Sequence, residues 1–278
     1  MNNKIKTALK YTSLAAALLS TVACATSDKA DSAAIQSAVS DQARVKQSVR
    51  DEFRNPAETL EFFGVKEDMT VVEIWPGGGW YTSILNPIVK SKGQLIGAHF
   101  HMFDGAPGYY KRSLDGFNDK VTNNPLFEGI KITEFHPSKA LEIAPEGSAD
   151  MVLTFRNLHN WYMGDGDEGV LNSFKAFHKA LKKGGVLGVV DHRMPEKLDQ
   201  EEYKRSGYIK QSYAIEMAKK AGFKLVATSE VNANEKDTAM HPRGVWTLPP
   251  RLALGEQDKE KYMAIGESDR MTLKFVKL

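Results

Sequence analysis

Five of the chain's seven histidines fall where an apolar run gives out: His99, His101, His136, His159 and His192. Imidazole titrates near neutrality, so a residue of this type can take or give a proton at physiological pH. Asp191 directly precedes His192 and can orient or anchor a ring beside it. His159, Asp191 and His192 are the candidate catalytic residues. His99 and His101 stand two apart, so on a strand they share a face and, with His136 or His159, offer a metal site. No zinc signature such as His-Glu-x-x-His accompanies them, and we assign no metal. A third reading is that the five simply line a polar cleft. His178 falls on a helical apolar stripe and reads as core, and His241 lies in a long irregular segment.

A second constellation is Val71-Val72-Glu73-Ile74-Trp75-Pro76-Gly77-Gly78-Gly79-Trp80-Tyr81-Thr82. It reads as a buried strand, an acid near its end, a glycine turn and a helix start. Such a turn presents open backbone N–H groups at a helix N-terminus, beside the carboxyl end of a strand, where open α/β folds bind ligands. The dinucleotide fingerprint needs a third glycine where Thr82 stands, and the Gly-Lys-Ser/Thr ending of a P-loop is absent. No Gly-x-Ser-x-Gly elbow argues for a serine hydrolase. Arg50 and Arg54 read as a solvated face, with reach to the ligand edge as the alternative.

The elements that must position these residues follow from periodicity. Asn55-Pro56 opens a short helix that Gly64 closes in the left-handed conformation. Strands are expected at 71–74, 94–100, 131–135, 151–155, 186–190, 223–229 and 271–278. Helices are expected at 167–182 and 208–221, with a covering segment at 102–126 that includes a helix near 109–117. Strands alternating with helices imply a parallel sheet covered on both faces.

The acid-before-glycine order at Glu73-Ile74-Trp75-Pro76-Gly77-Gly78-Gly79 resembles motif I of the class I S-adenosylmethionine (SAM)-dependent methyltransferases, with Trp75 at the first glycine position. Phe155-Arg156-Asn157-Leu158-His159-Asn160-Trp161 and Gly184-Gly185-Val186-Leu187-Gly188-Val189-Val190-Asp191-His192-Arg193 follow at matching intervals. Together they resemble a bacterial family of exported predicted methyltransferases, over most of the chain after about residue 45. The resemblance implies a Rossmann-like fold of seven strands, mostly parallel, with an antiparallel last strand inserted between the fifth and sixth. It implies SAM as cofactor and methyl transfer to an unknown small molecule, with Glu73, Trp75, Pro76, Gly77, Gly78, Gly79, Tyr81, His99, Arg156 and Asn157 at the cofactor. The acid that commonly ends the second strand in that family is replaced here by His99 or His101. Methyl transfer needs alignment and, for some acceptors, removal of a proton, which suits His159 or His192. An antiparallel last strand also makes residues 231–269 leave and return at the carboxyl edge, so they read as a lid carrying His241, Arg243 and Trp246.

Composition bounds the rest. Hydrophobic content of 42% and charged content of 26% are globular values. Net charge is +2, and loss of Lys4, Lys6 and Lys10 would bring it close to zero, so nothing argues for nucleic acid. Those lysines precede a short apolar run and then Cys24, the single cysteine, in the layout of an export signal. We expect residues 1–24 to be a lipoprotein-type signal peptide, 25–40 a flexible tether, and 41–278 the methyltransferase-like domain. The protein would be periplasmic, held to the outer membrane through a lipid on Cys24, with no other membrane contact. SAM is made in the cytoplasm, so the alternative is an exported, non-catalytic protein that binds another small molecule or a metal on the same scaffold.

Overall fold

Val71 and Val72 set the plan of the molecule. Neighbouring residues on a strand point to opposite faces. Val71 packs into an apolar cluster with Leu60, Ile84 and Leu85, and Val72 into another with Phe174 and Phe177. Leu95 and Ile96, and Met151 and Val152, divide in the same way. Strands buried on both sides are continuous apolar runs, and helices must cover both faces. The computed structural model describes residues 29–278. Strand β1 (Thr70–Ile74) lies between β2 (Gln94–Phe100) and β4 (Ala149–Phe155), parallel to both. Outside these run β3 (Lys131–Phe135) beside β2 and β5 (Leu181–Met194) beside β4, again parallel. A two-residue strand β6 (Ile209–Lys210) pairs with the far end of β5. Then β8 (Arg270–Lys277) inserts antiparallel between β5 and β7 (Phe223–Ser229). The sheet order is β3-β2-β1-β4-β5-β8-β7, so the last strand takes the place expected for it. Only β6 was not foreseen, because two residues carry no period.

The helices are α1 (29–39), α2 (Val45–Ser48), α3 (Asp51–Arg54), α4 (Pro56–Phe63), α5 (Thr82–Val89), α6 (Gly108–Asn123), α7 (Leu158–Ala180), α8 (Gln211–Lys220) and α9 (Lys259–Ile265). Gly64 caps α4 at φ +80°, as its position predicts. Three expectations need correction. Residues 29–39 are helical rather than a tether. Ile35 and Ala38 are buried beside Phe63 and Ile84, and the alanines that looked like linker composition are strong helix formers. The segment 25–28, the signal region and Cys24 lie outside the described residues. Helix α7 begins at Leu158, nine residues early, because Leu158, Trp161 and Tyr162 are buried; Gly166, at φ +63°, breaks it into two parts. It ends at Ala180, and Lys182-Lys183-Gly184 belong to β5 instead of closing the helix. Among the described residues, no helix is long and apolar enough to cross a membrane.

Candidate active site

β1 and β4 are neighbours, and the residue that follows each is left-handed without being glycine. Trp75 has φ +45° and Arg156 φ +62°. Bulky residues adopt this backbone at a cost, and such strain collects at functional edges. After Trp75 the chain turns through Gly77 (φ +57°) and Gly79 (φ +78°) into α5. A cavity of about 590 Å³ opens beside this turn, within the size range of small-molecule sites. Glu73, Trp75, Pro76, Gly77, Gly78, Tyr81, Arg156, Asn157, His159 and His192 all line it.

Trp75 does not fill the hollow. Its indole turns into a cluster of Phe100, Tyr110, Phe135 and Trp161, with ring centroids 4.8 to 5.9 Å away. Its Nε1–H donates to Phe135 O at 2.9 Å. Gly78 faces open space where a Cβ would stand, so a ligand can approach the backbone there. Gly79 serves packing instead: a Cβ would lie 2.4 Å from Phe127 Cε1, and the residue does not reach the cavity. Tyr81 stacks on Phe155, with centroids 3.6 Å apart and planes at 9°. Asn157 is spent on the scaffold, donating from Nδ2 to Ile74 O (2.9 Å) and Thr154 Oγ1 (3.1 Å) and so tying the ends of β1 and β4 together.

Glu73 is buried at the base of the cavity. Burial pushes its carboxyl up to about 7, against the opposing effect of Thr82 Oγ1, which donates to Oε2 at 2.6 Å. His99 is not at the cavity. Its ring is buried, with Nδ1 accepting from Phe100 N–H at 2.8 Å and Nε2 3.2 Å from Gly77 O. Burial, only partly offset by that Gly77 carbonyl, lowers its pKa to about 4, so the neutral ring donates from Nε2 and props the glycine turn. His101 lies beyond the end of β2 and contacts Glu134 through Nδ1, so the two rings do not converge on a metal. His136 bonds locally to Ser138.

The catalytic candidates do meet. β5 carries Asp191 and His192, and α7 brings His159 over them. Asp191 Oδ1 is 2.8 Å from His159 Nδ1 and also accepts from His192 N–H at 2.7 Å. A carboxylate oxygen accepts, so this hydrogen bond places a proton on His159 Nδ1. His192 shares a 2.5 Å hydrogen bond between Nδ1 and Ser268 Oγ. Burial first, then His159 and the arginines Arg270, Arg156 and Arg54, hold the His192 pKa well below its ordinary value, so it is neutral at pH 7. The three side chains have ligand atoms within 4.8 Å of one another and are the one group among the described residues that could grip a metal. His159 Nδ1 and His192 Nδ1 are both hydrogen-bonded, which leaves the two Nε2 atoms as the ring positions open to a proton or a ligand.

The cavity is also cationic, where the sequence reading favoured a solvated face for Arg50 and Arg54. Arg50, Arg54 and Arg270 line the cavity with Glu267 and Ser268. Arg54 is 2% exposed, not on a solvated face. A short i, i+4 pair of arginines gives no warning of this, because Arg54 is covered by Trp80 from the β1–α5 turn and faces Glu267 from the far end of the chain. Val245, Trp246, Leu248, Pro249, Pro250 and Arg251 complete the enclosure.

No family model and no curated protein matches the chain by sequence. Solved structures do match in three dimensions. A SAM-dependent methyltransferase from Aquifex aeolicus aligns with a TM-score of 0.54 at 16% identity, covering 82% of this chain and 93% of its own. A Haemonchus contortus phosphoethanolamine N-methyltransferase, in complex with phosphomonomethylethanolamine and S-adenosylhomocysteine, gives 0.51 at 18% identity, covering 81% of this chain and 52% of its own. The chain has the class I methyltransferase fold. The [4+2]-cyclase SpnF shares it equally well, at 0.54 and 15% identity over 86% of this chain and 85% of its own. At these identities the likeness is one of fold. What the cavity does must come from its side chains.

Proposed function

We propose that the protein transfers a methyl group from SAM to a small-molecule acceptor, with His159 as general base. The observation that supports this most is the position of His159, held from behind by buried Asp191, on the wall of the cavity that the glycine turn opens. The residues present leave room for the cofactor: Gly78 is open beside the cavity where a Cβ would stand, and the space remains open with Trp75 in place. Glu73, Pro76, Gly77, Gly78 and Tyr81 would hold it, with Asn157 bracing the strand ends around it. When bound, SAM supplies a methyl group on an activated sulfonium. The protein's own task is then to align an acceptor and take its proton at His159 Nε2, while Asp191 fixes the ring through Nδ1–H. The segment 231–269 acts as a lid that excludes water and sets acceptor choice.

Calorimetry with SAM and S-adenosylhomocysteine on the purified chain tests the reading. Binding of both supports it. No binding, together with a different molecule co-purifying and identified by mass spectrometry, would turn the protein into a carrier on a methyltransferase scaffold. We also propose export and a lipid anchor on Cys24, on the strength of the signal-like N-terminus. Mass spectrometry of the mature N-terminus checks this, and an unmodified start at Thr26 would overturn the anchor.

A further inference from the structure

Four guanidinium groups converge on one side of the cavity. Arg50 and Arg54 come from the start and end of α3, Arg156 from the end of β4 and Arg270 from the start of β8. A single carboxylate, Glu267, faces them. Arg50 Nε donates to it at 2.5 Å, Arg270 Nη2 donates to its other oxygen, and Arg54 Nε stands 3.6 Å away. One negative charge against four positive ones leaves the cluster strongly cationic inside the protein.

The four are not equally engaged. Arg270 also donates to Phe53 O at 2.8 Å, so it and Arg50 help hold the fold. Arg54 does not. It is almost wholly buried, yet none of its three guanidinium nitrogens makes a hydrogen bond. Trp80 covers one face of the group, 4.3 Å from the ring centroid, and leaves the donor edge unused. Arg156 is half-buried, lines the cavity, and has no side-chain hydrogen bond, although its backbone is held in a left-handed conformation. Arg50 Nη2 and Arg270 Nε are buried without acceptors too. Buried donors are almost always satisfied, and buried charges are almost always paired. Burial and the neighbouring Arg156 lower the pKa of Arg54 to about 8, which measures how poorly the free protein accommodates the charge. Five donors in a planar fork match the two oxygens of a carboxylate or phosphate.

We propose that Arg54 and Arg156, backed by Arg50 and Arg270, bind a carboxylate or phosphate group carried by the methyl acceptor. The site itself rests on guanidinium donors that have no hydrogen-bond partner; only its assignment to the acceptor rests on the methyl-transfer reading. The donor's own carboxylate has the same chemistry, and the test separates the two.

Thermal unfolding is followed with inorganic phosphate against chloride at constant ionic strength, for the full chain and for Arg54→Met and Arg156→Gln. Phosphate should raise the wild-type midpoint, and each substitution should weaken its apparent affinity about tenfold or more. Arg54→Met removes a buried guanidinium with no hydrogen bond but also one of the three arginines beside Glu267, so its phosphate response is read against its own phosphate-free midpoint; Arg156→Gln, at the cavity surface, serves if Arg54→Met does not fold. S-adenosylhomocysteine affinity is then measured with and without phosphate. Unchanged affinity places the anion on the acceptor. Competition places it on the donor and overturns the proposal. An equal phosphate effect in all three proteins, or none in the wild type, overturns the site altogether. Phosphate binding without any S-adenosylhomocysteine binding leaves the anion site standing and removes the methyl-transfer reading.

Discussion

Glu73 is a carboxyl that the folded protein prefers to keep protonated. Its ordinary value near 4.5 rises to about 7 on burial. The folded state therefore binds more protons than the unfolded chain between these values, and stability falls as pH rises through that window. A shift of this size corresponds to about 3 kcal/mol. Glu73→Gln keeps an acceptor for Thr82 and cannot ionise, so its urea midpoint should vary less between pH 5 and pH 8 than that of the wild type. Parallel pH dependence in the two proteins would show that the carboxyl is already ionised. Glu267 works in the other direction. Burial raises it, but Arg270, Arg50 and Arg54 outweigh burial and bring it down to about 2. Its contribution is present above the ordinary carboxyl range and is lost as pH falls through that low value. For the dyad, Asp191→Asn and His159→Asn should each slow turnover roughly 10²- to 10⁴-fold while cofactor affinity holds, as seen by kinetics and calorimetry together.

At the scale of elements, the turn between β1 and α5 divides its glycines by task. Gly79 combines φ +78° with a Cβ position 2.4 Å from Phe127 Cε1. Gly79→Ala should cost about 2 kcal/mol or more, since both the backbone and the α5–α6 packing must shift. Gly78 has neither constraint. Gly78→Ala should keep the wild-type melting temperature and instead weaken ligand binding, because its methyl group enters the cradle. Equal melting losses in the two variants would refute this division. The strand ends behave alike: Trp75 and Arg156 take up the strained backbone where glycine is the easier choice, and both face the cavity.

For the whole molecule, the long return from β7 to β8 is what closes the site. It is pinned by Asp237, whose buried carboxylate accepts from Tyr208 OH (2.9 Å), His241 Nε2 (2.8 Å), Ala239 N–H (2.9 Å) and Asp269 N–H (2.8 Å). Asp237→Ala strands those donors and should destabilise this region by about 3 kcal/mol. Hydrogen exchange within 238–256 should rise before that of β1 and β4, and acceptor KM should rise before kcat falls. Exchange that rises uniformly across the sheet would mean that the segment is a structural brace and not a lid. The fold is shared with methyltransferases and with a cyclase, so no activity follows from topology alone.

The strands were legible in the sequence because burial on both faces demands runs rich in β-branched and apolar residues, and Val71–Ile74, interrupted only by Glu73, and Val186–Val190 are such runs. The glycine turn was legible because backbone geometry there is dictated locally. So was the meeting of His159 with Asp191 and His192, since residues at the carboxyl ends of adjacent parallel strands must share an edge. The sequence could not reveal which way a side chain turns once it reaches that edge. His99 looked like a ligand residue and props Gly77 instead, while Arg54 looked solvated and is buried under Trp80. Those outcomes depend on how β2 and α3 pack against the β1–α5 turn, which no local pattern dictates. Charge in a cavity is a sum over distant segments, and only the tertiary structure performs it.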